Sequence, residues 1–292
     1  MTEQQPNRIF VEDARVISQQ AYQGDQYVLR LHAPKCAGSA QPGSFAHLQC
    51  DDKLPMRRPL SIMRVDASAG WVDFLYKVVG HGTGLLAKRQ CDDSISIMGP
   101  IGKPFSLSPP HTRPLLIGGG VGIPPMVFLA DHLKDHKQQY HPFALMGSEV
   151  PFPFQASPSQ MLVPGMPDGV IASMPLLEDW GIPGRLTSLQ GYPGCHQGYV
   201  TDLARLWLEA LDDAQRTEVI IYSCGPRPML QAVAKLAREY RLACQVSLEE
   251  FMACGVGGCA GCAVRVHTAD GVAMKRVCVD GPVFDAATVF SD

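Results

Sequence analysis

A chain of 292 residues, 46% hydrophobic and 18% charged, is long enough for two or three domains and a well-buried core. Its net charge of −3 leaves no basic surplus for nucleic acid and no polybasic segment for a membrane surface. The longest apolar run, Pro114 to Ala130, is broken by three prolines and four glycines, which suits a strand, a turn and a helix rather than a membrane span.

In chain order, residues 1–109 read as strands. Tyr27, Leu29 and Leu31 alternate with polar residues, Trp71 to Val79 is a β-rich run, and Ile95 and Ile97 alternate with Ser94 and Ser96 before Gly99-Pro100. Short strands punctuated by Gly and Pro predict a small antiparallel β-barrel. Within it, Arg57-Arg58-Pro59-Leu60-Ser61 sets cations, a stiff backbone and a hydroxyl close together, which suits a phosphate and a planar ring. A solvated arginine pair is the alternative. Gly80-His81-Gly82-Thr83-Gly84 offers a second phosphate-cradling loop, and two such loops on one barrel favour a nucleotide.

After Pro109-Pro110 the texture changes. Leu115-Leu116-Ile117 runs into Gly118-Gly119-Gly120-Val121-Gly122 and a helix-like stretch from Met126 to Leu133. Those glycines would let the backbone approach a pyrophosphate at a helix N-terminus, although the run is not a full G-x-G-x-x-G and a plain strand-helix turn is the alternative. Phe143 to Met146 and Val170 to Ser173 read as strands, and Asp202 to Leu211 as a helix with Thr201 as its N-cap. Val219 to Tyr222 is a buried strand ending in Ser223-Cys224-Gly225-Pro226, and Met229, Val233, Leu236, Ala237 and Tyr240 form the inward stripe of the next helix. Strands alternating with helices predict an α/β, doubly wound parallel sheet over residues 110–243. Cys224, Gly225 and Pro226 stand at the end of a strand where such sheets bind ligands. Gly147 to Gly198 is proline-rich and aperiodic, and is expected to be a long loop or insertion around 148–198. Gly147-Ser148-Glu149 includes an acid and no arginine, which favours NAD(H) over its 2′-phosphorylated form.

Residues 244–292 carry the most specific signal. Cys254, Cys259, Cys262 and Cys278 stand as C-x4-C-x2-C-x15-C, with Gly255, Gly257, Gly258 and Gly261 between the first three. This is the spacing of 2Fe-2S ligands, and the glycines allow backbone N–H groups close to cluster sulfurs. Zinc ribbons pair two C-x2-C knuckles instead. A disulfide framework would need an oxidising compartment, whereas Met1 to Phe10 is polar and lacks the apolar core of a signal peptide, so a cytoplasmic location is expected. The other six cysteines are scattered singly, as small buried residues would be.

A nicotinamide exchanges two electrons at once and a 2Fe-2S centre exchanges one, so a converter is required, and a flavin is the usual one. The order of these motifs resembles the ferredoxin reductase superfamily. The appended C-terminal cluster segment is similar to one branch, the electron-transfer subunits of two-subunit, NAD-dependent dihydroorotate dehydrogenases. The resemblance covers nearly the whole chain and is most specific at the four cysteines and at Val277-Cys278-Val279-Asp280-Gly281-Pro282-Val283-Phe284. It implies that Arg58, Pro59, Leu60 and Ser61 touch FAD, that Leu75, Tyr76 and Lys77 lie along it, and that Gly82 and Thr83 hold its pyrophosphate. NAD is expected at Gly118, Gly119, Gly120 and Gly122 with Cys224, Gly225 and Pro226. No catalytic site for an organic substrate is evident. The resemblance further implies an FMN-containing dihydroorotate dehydrogenase catalytic subunit as partner, in a heterotetramer serving pyrimidine biosynthesis. Reductase subunits of oxygenases and hydrogenases use the same relay and remain the alternative. Leu189 to His196 departs from the compact acidic, serine-containing loop usual in the family.

Overall fold

The computed structural model describes residues 8–107 and 110–291. The N-terminal half is a closed six-stranded barrel, built from β1 (Phe10–Tyr22), β2 (Gln26–His32), the short helix α1 (Pro34–Ala37), β3 (Phe45–Leu48), β4 (Arg58–Asp66), β5 (Trp71–Lys77), helix α2 (His81–Leu86) and β6 (Ser94–Ile101). Its strand order is β1-β2-β5-β4-β3-β6, and every pairing is antiparallel. The period-two pattern does what the sequence asks of it: Leu29, Leu31, Ile95 and Ile97 are fully buried in one barrel core. Register shifts at Val16/Ser18, Phe45/His47 and Ile62/Arg64 supply the local bends that closure needs.

The second half contains β7 (Arg113–Gly119), α3 (Ile123–Leu133), β8 (Phe143–Gly147), β9 (Ser157–Pro158), β10 (Ala172–Ser173), α4 (Pro175–Asp179), β11 (Gly184–Thr187), α5 (Val200–Ala210), α6 (Asp213–Thr217), β12 (Val219–Cys224), α7 (Arg227–Tyr240) and β13 (Ala243–Ser247). After these come β14 (Ala263–Thr268), β15 (Gly271–Arg276), β16 (Val283–Asp285) and α8 (Ala286–Val289). The main sheet runs β11-β8-β7-β12-β13-β16, parallel throughout except for the antiparallel edge strand β16. All six residues of β12 are buried because both faces are covered. Ile221 packs with α5 and α7, while Ile220 and Tyr222 pack with α3.

Four local expectations are corrected. α3 begins at Ile123 rather than Met126, because Pro124 and Pro125 fall in a first turn that lacks intrahelical N–H partners anyway. Thr201 lies inside the first turn of α5; the N-cap is Tyr199, whose N–H is accepted by Asp202 Oδ2 at 2.9 Å. The stretch 148–198 is not a plain loop, since it holds the β9–β10 pair, α4 and the edge strand β11, which pairs with β8. The short run Gly184–Thr187 hides this strand because it has no alternation and puts an arginine inside. Arg185 is buried; its Nη1 donates to the carbonyl of Gly184 and its Nη2 to that of Met161, each at 2.7 Å, while Nε has no partner. Finally, β13 continues the sheet past residue 243, and β16, from the cysteine-bearing segment, adds to its edge.

Candidate cofactor sites

The two barrel motifs meet in space. Arg58 opens β4, and its guanidinium lies over Gly82: a Cβ there would stand 2.8 Å from Nε and 2.9 Å from Nη2. Gly82 therefore exists to admit the arginine. Arg58 Nη1 donates to the carbonyl of Met56 at 2.9 Å, which aims the side chain. Thr83 Oγ1 accepts the N–H groups of Val79 at 3.1 Å and Gly80 at 3.3 Å, fixing the entry to α2. Arg57 has a different job, clamping β6 through the carbonyl of Ser96 at 2.6 Å and its Oγ at 2.9 Å. On β5, Tyr76 points into the barrel, where its hydroxyl bonds Gln19 Oε1 at 2.9 Å and its ring stacks on Tyr27 at 5.5 Å. Leu75 faces the other way, among residues packed between barrel and sheet, and Lys77 is half-buried.

The two glycine-bearing turns of the sheet also converge. β7 and β12 are neighbours with Gly118 opposite Cys224, and a Cβ on Gly122 would lie 2.3 Å from the Cys224 carbonyl oxygen. Gly120 has φ +56° and nothing within 4 Å of a hypothetical Cβ, so the turn presents an open face. Met229, placed by the sequence only in a helical stripe, covers both turns: a Cβ on Gly119 would meet its sulfur at 2.5 Å, and one on Gly225 its methyl at 2.5 Å. Pro226 caps α7. Cys224 is buried, and that burial holds its thiol well above the ordinary range. Glu149 is exposed just beyond β8.

The four cysteines lie on one loop and the turn after β15, and they associate in two pairs. Cys262 and Cys278 are buried with their sulfurs 3.3 Å apart, while Cys254 is hydrogen-bonded to the exposed Cys259. Backbone N–H groups of Val256 and Cys259 aim at the Cys254 sulfur and bring its thiol down to about 6. Burial, together with Cys262, pushes the Cys278 thiol up to about 12. Positive φ at Gly255 (+68°) and Gly257 (+82°) curls the loop so that its N–H groups face inward. Arg276 Nη1 holds the Gly257 carbonyl at 2.9 Å, and Asp280 accepts the Arg276 N–H at 2.8 Å.

Among the described residues, no three His, Cys, Asp or Glu side chains converge as a single metal ion requires. A pair of thiol pairs, inward N–H groups and glycines without side-chain obstruction fit a two-iron cluster. The guanidinium of Arg58 over Gly82, at the entry to α2, likewise fits a dinucleotide phosphate. Sequence reasoning missed one residue here. His47 on β3 is fully buried against Gly255, with neither ring nitrogen hydrogen-bonded, and burial followed by the nearby Arg57 charge lowers it to about 4. Only its cross-strand place opposite Pro59 could have drawn attention to it.

Residues 249–290 match the family model described as the iron-sulfur cluster binding domain of dihydroorotate dehydrogenase B. Nearly the whole chain is similar to the dihydroorotate dehydrogenase B (NAD(+)) electron transfer subunit of Listeria welshimeri, 35% identical over 283 residues, covering 95% of this chain and 98% of that one. The subunit of the same name from Desulforamulus reducens is 31% identical over 277 residues, covering 94% and 96%. The structure superposes on that of an NADH-dependent reduced ferredoxin-NADP oxidoreductase with a TM-score of 0.75 and 25% identity, over 99% of this chain and 91% of that one. A ferredoxin NADP+ reductase from Neisseria gonorrhoeae, at 12% identity and TM-score 0.56 over 79% and 91%, shares the fold. Barrel, sheet and cysteine loop thus define a flavin-reductase fold with an appended iron-sulfur module. Within that class, the chain belongs to the family of dihydroorotate dehydrogenase B electron transfer subunits. Among the described residues, no helix is long and apolar enough to cross a membrane.

Proposed function

We propose that the chain passes electrons between a 2Fe-2S cluster, FAD and NAD(H) on behalf of a separate FMN-containing dihydroorotate dehydrogenase subunit, as part of pyrimidine biosynthesis in the cytoplasm. When bound, FAD exchanges electrons singly or in pairs, matching a one-electron centre to a two-electron carrier. In this reading Cys254, Cys259, Cys262 and Cys278 ligate the cluster. Arg58 and the Gly82-Thr83 turn neutralise and seat the FAD pyrophosphate, while Pro59, Leu60, Ser61, Leu75 and Lys77 line the flavin and Tyr76, whose side chain points into the barrel, contributes only its backbone. Gly118, Gly119, Gly120 and Gly122, with Cys224, Gly225 and Pro226, admit the nicotinamide dinucleotide at the strand ends. Residues 1–109 serve FAD, 110–243 serve NAD, and 244–292 serve the cluster.

One observation carries this reading. The cysteine loop does not hang free but rests on the flavin barrel: a Cβ on Gly255 would lie 3.0 Å from His47 and 3.1 Å from Met98, and His47 stands opposite Pro59 of the Arg58 to Ser61 motif. The cluster ligands and the flavin motif therefore share one wall, as electron exchange demands. On the outer side, Phe251 is 95% exposed and Val256 51%, beside exposed Cys259. Apolar residues so exposed suit a protein surface, and the partner would dock there.

Anaerobic purification from the native source tests the reading. The chain should carry iron, sulfide and FAD, travel with an FMN protein in a heterotetramer, and reduce dyes with NADH when isolated. Turnover of dihydroorotate by the isolated chain, or zinc in place of iron, would overturn it.

A further inference from the structure

We propose that His47 is a positioning and tuning residue that donates an imidazole N–H to the sulfur atoms of the iron-sulfur centre on its Cys254 side; this rests on the cluster assignment above. Strand β3 places it. Ala46 and Leu48 turn into the barrel core, so His47 turns outward with Phe45, whose ring lies 5.8 Å away, and β6 sets Met98 opposite it. That outward face is roofed by the cysteine loop at Gly255, the residue after Cys254, whose hypothetical Cβ would meet His47 Cε1 at 3.0 Å and Nε2 at 3.1 Å. The imidazole is fully buried, and Nδ1 and Nε2 both lack a hydrogen-bond partner.

A packing role alone accounts poorly for this choice. An imidazole buried with an unmet donor or acceptor gives up about 1–3 kcal/mol for each such group, a cost that leucine at the same place would not incur. The cost is recovered if the N–H finds an acceptor in the one polar structure that the loop is shaped to hold. Electron-rich thiolate and sulfide sulfurs are such acceptors, and hydrogen bonds to them favour the reduced cluster, which carries one more negative charge. Glycine at 255 matters for the same reason, because any Cβ would press the ring away from the loop. Arg57 assists from a distance: it bonds the carbonyl of Ser96 and reaches that of His47 at 3.4 Å, pinning the strand so that the ring cannot swing out. His47 thus joins the wall that carries the flavin motif to the loop that carries the cluster.

The test uses the holoprotein with cluster and FAD bound. The midpoint potential of the cluster is read by EPR-monitored redox titration in wild type, His47→Leu and His47→Gln. Loss of the donor in His47→Leu should disfavour cluster reduction about tenfold, equivalent to about 59 mV for a one-electron couple, and His47→Gln should recover part of it. Pulsed EPR of wild type labelled with ¹⁵N-histidine should show a histidine nitrogen coupled to the reduced cluster. If His47→Leu kept the wild-type potential, the proposal would fall. Should His47→Leu fail to assemble a cluster, the labelled wild type decides: coupling supports the proposal and its absence overturns it. An iron-free wild type would instead bring down the cluster assignment itself.

Discussion

Replacing Gly122 by alanine is the sharpest probe of the sheet's two nucleotide turns. The added methyl would sit 2.3 Å from the Cys224 carbonyl oxygen, 2.4 Å from its carbon and 2.5 Å from the Gly225 nitrogen. All three are backbone atoms, so no rotamer change relieves the clash, and the ends of β7 and β12 must part by about 1 Å to restore ordinary contact. Overpacking costs about 1–3 kcal/mol, and unyielding neighbours place this case near the upper value. At about 2–4 °C per kcal/mol, the melting transition should fall by about 6–12 °C. Gly120→Ala is the control. Its φ of +56° charges a strain of about 1 kcal/mol, yet nothing lies within 4 Å, so a fall of about 2–4 °C is expected. Because the displacement opens between the two turns, the KM for NADH in dye reduction should rise about tenfold in Gly122→Ala and much less in Gly120→Ala. Equal melting temperatures and equal KM values for the two variants would refute the idea that Gly122 sets the approach of the turns.

Cys259→Ser should lose iron and sulfide while retaining FAD, since Cys259 is exposed on the cysteine loop and outside the Arg58 to Ser61 and Gly82-Thr83 motifs; iron, sulfide and flavin assays of the pure variant decide it, and a full complement of iron would contradict the ligand set. Arg58→Ala should release FAD during gel filtration while leaving the cluster's visible absorption, because its guanidinium lies directly over Gly82; stoichiometric FAD after gel filtration would speak against that role. Glu149, exposed beyond β8, should make NADH the better substrate by kcat/KM, and Glu149→Arg should narrow the gap; equal values for NADH and NADPH in wild type would remove the acid's role.

The legible parts of this molecule are those in which a local pattern has one physical use. Four cysteines separated by glycines have few uses, and alternating Leu29/Leu31 and Ile95/Ile97 face one interior. The strand Val219–Cys224 reads as buried because it is apolar throughout and ends in a turn. The illegible parts depend on distant partners. β11 is only four residues long and carries Arg185, so nothing local marks it as an edge of the sheet; β8 and the carbonyl of Met161 make it one. Met229 looks like any residue on a helical stripe until Gly119 and Gly225 are brought beneath it. His47 sits in a short strand with no motif around it, and its meaning appears only when the cysteine loop folds back over it from more distant sequence.

The same long-range contacts explain why the cysteine segment can serve as a fixed station rather than a swinging one. β16 pairs with β13, so the chain returns from the last cysteine directly into the nucleotide sheet. One turn earlier, Lys103 at the exit of the barrel donates its N–H to the Gly281 carbonyl at 2.5 Å, and Leu248 donates to that of Pro282 at 2.9 Å. Barrel, sheet and cysteine segment thus meet at Gly281-Pro282, with Gly255 resting on His47 as a further point of support. Cys262 and Cys278 lie inside the hydrophobic cluster that also contains Val246 and Phe290, so the inner cysteine pair belongs to the sheet's own core. A module anchored at both ends and buried along one side keeps its inner face against the flavin wall. Its outer rim, with Phe251, Val256 and Cys259, is exposed, as are Val272 and Met274 on the β14–β15 hairpin. On the proposed reading, a partner would meet the exposed face of the loop, and the buried side chains of Cys262, Cys278 and His47 would lie between that face and the barrel.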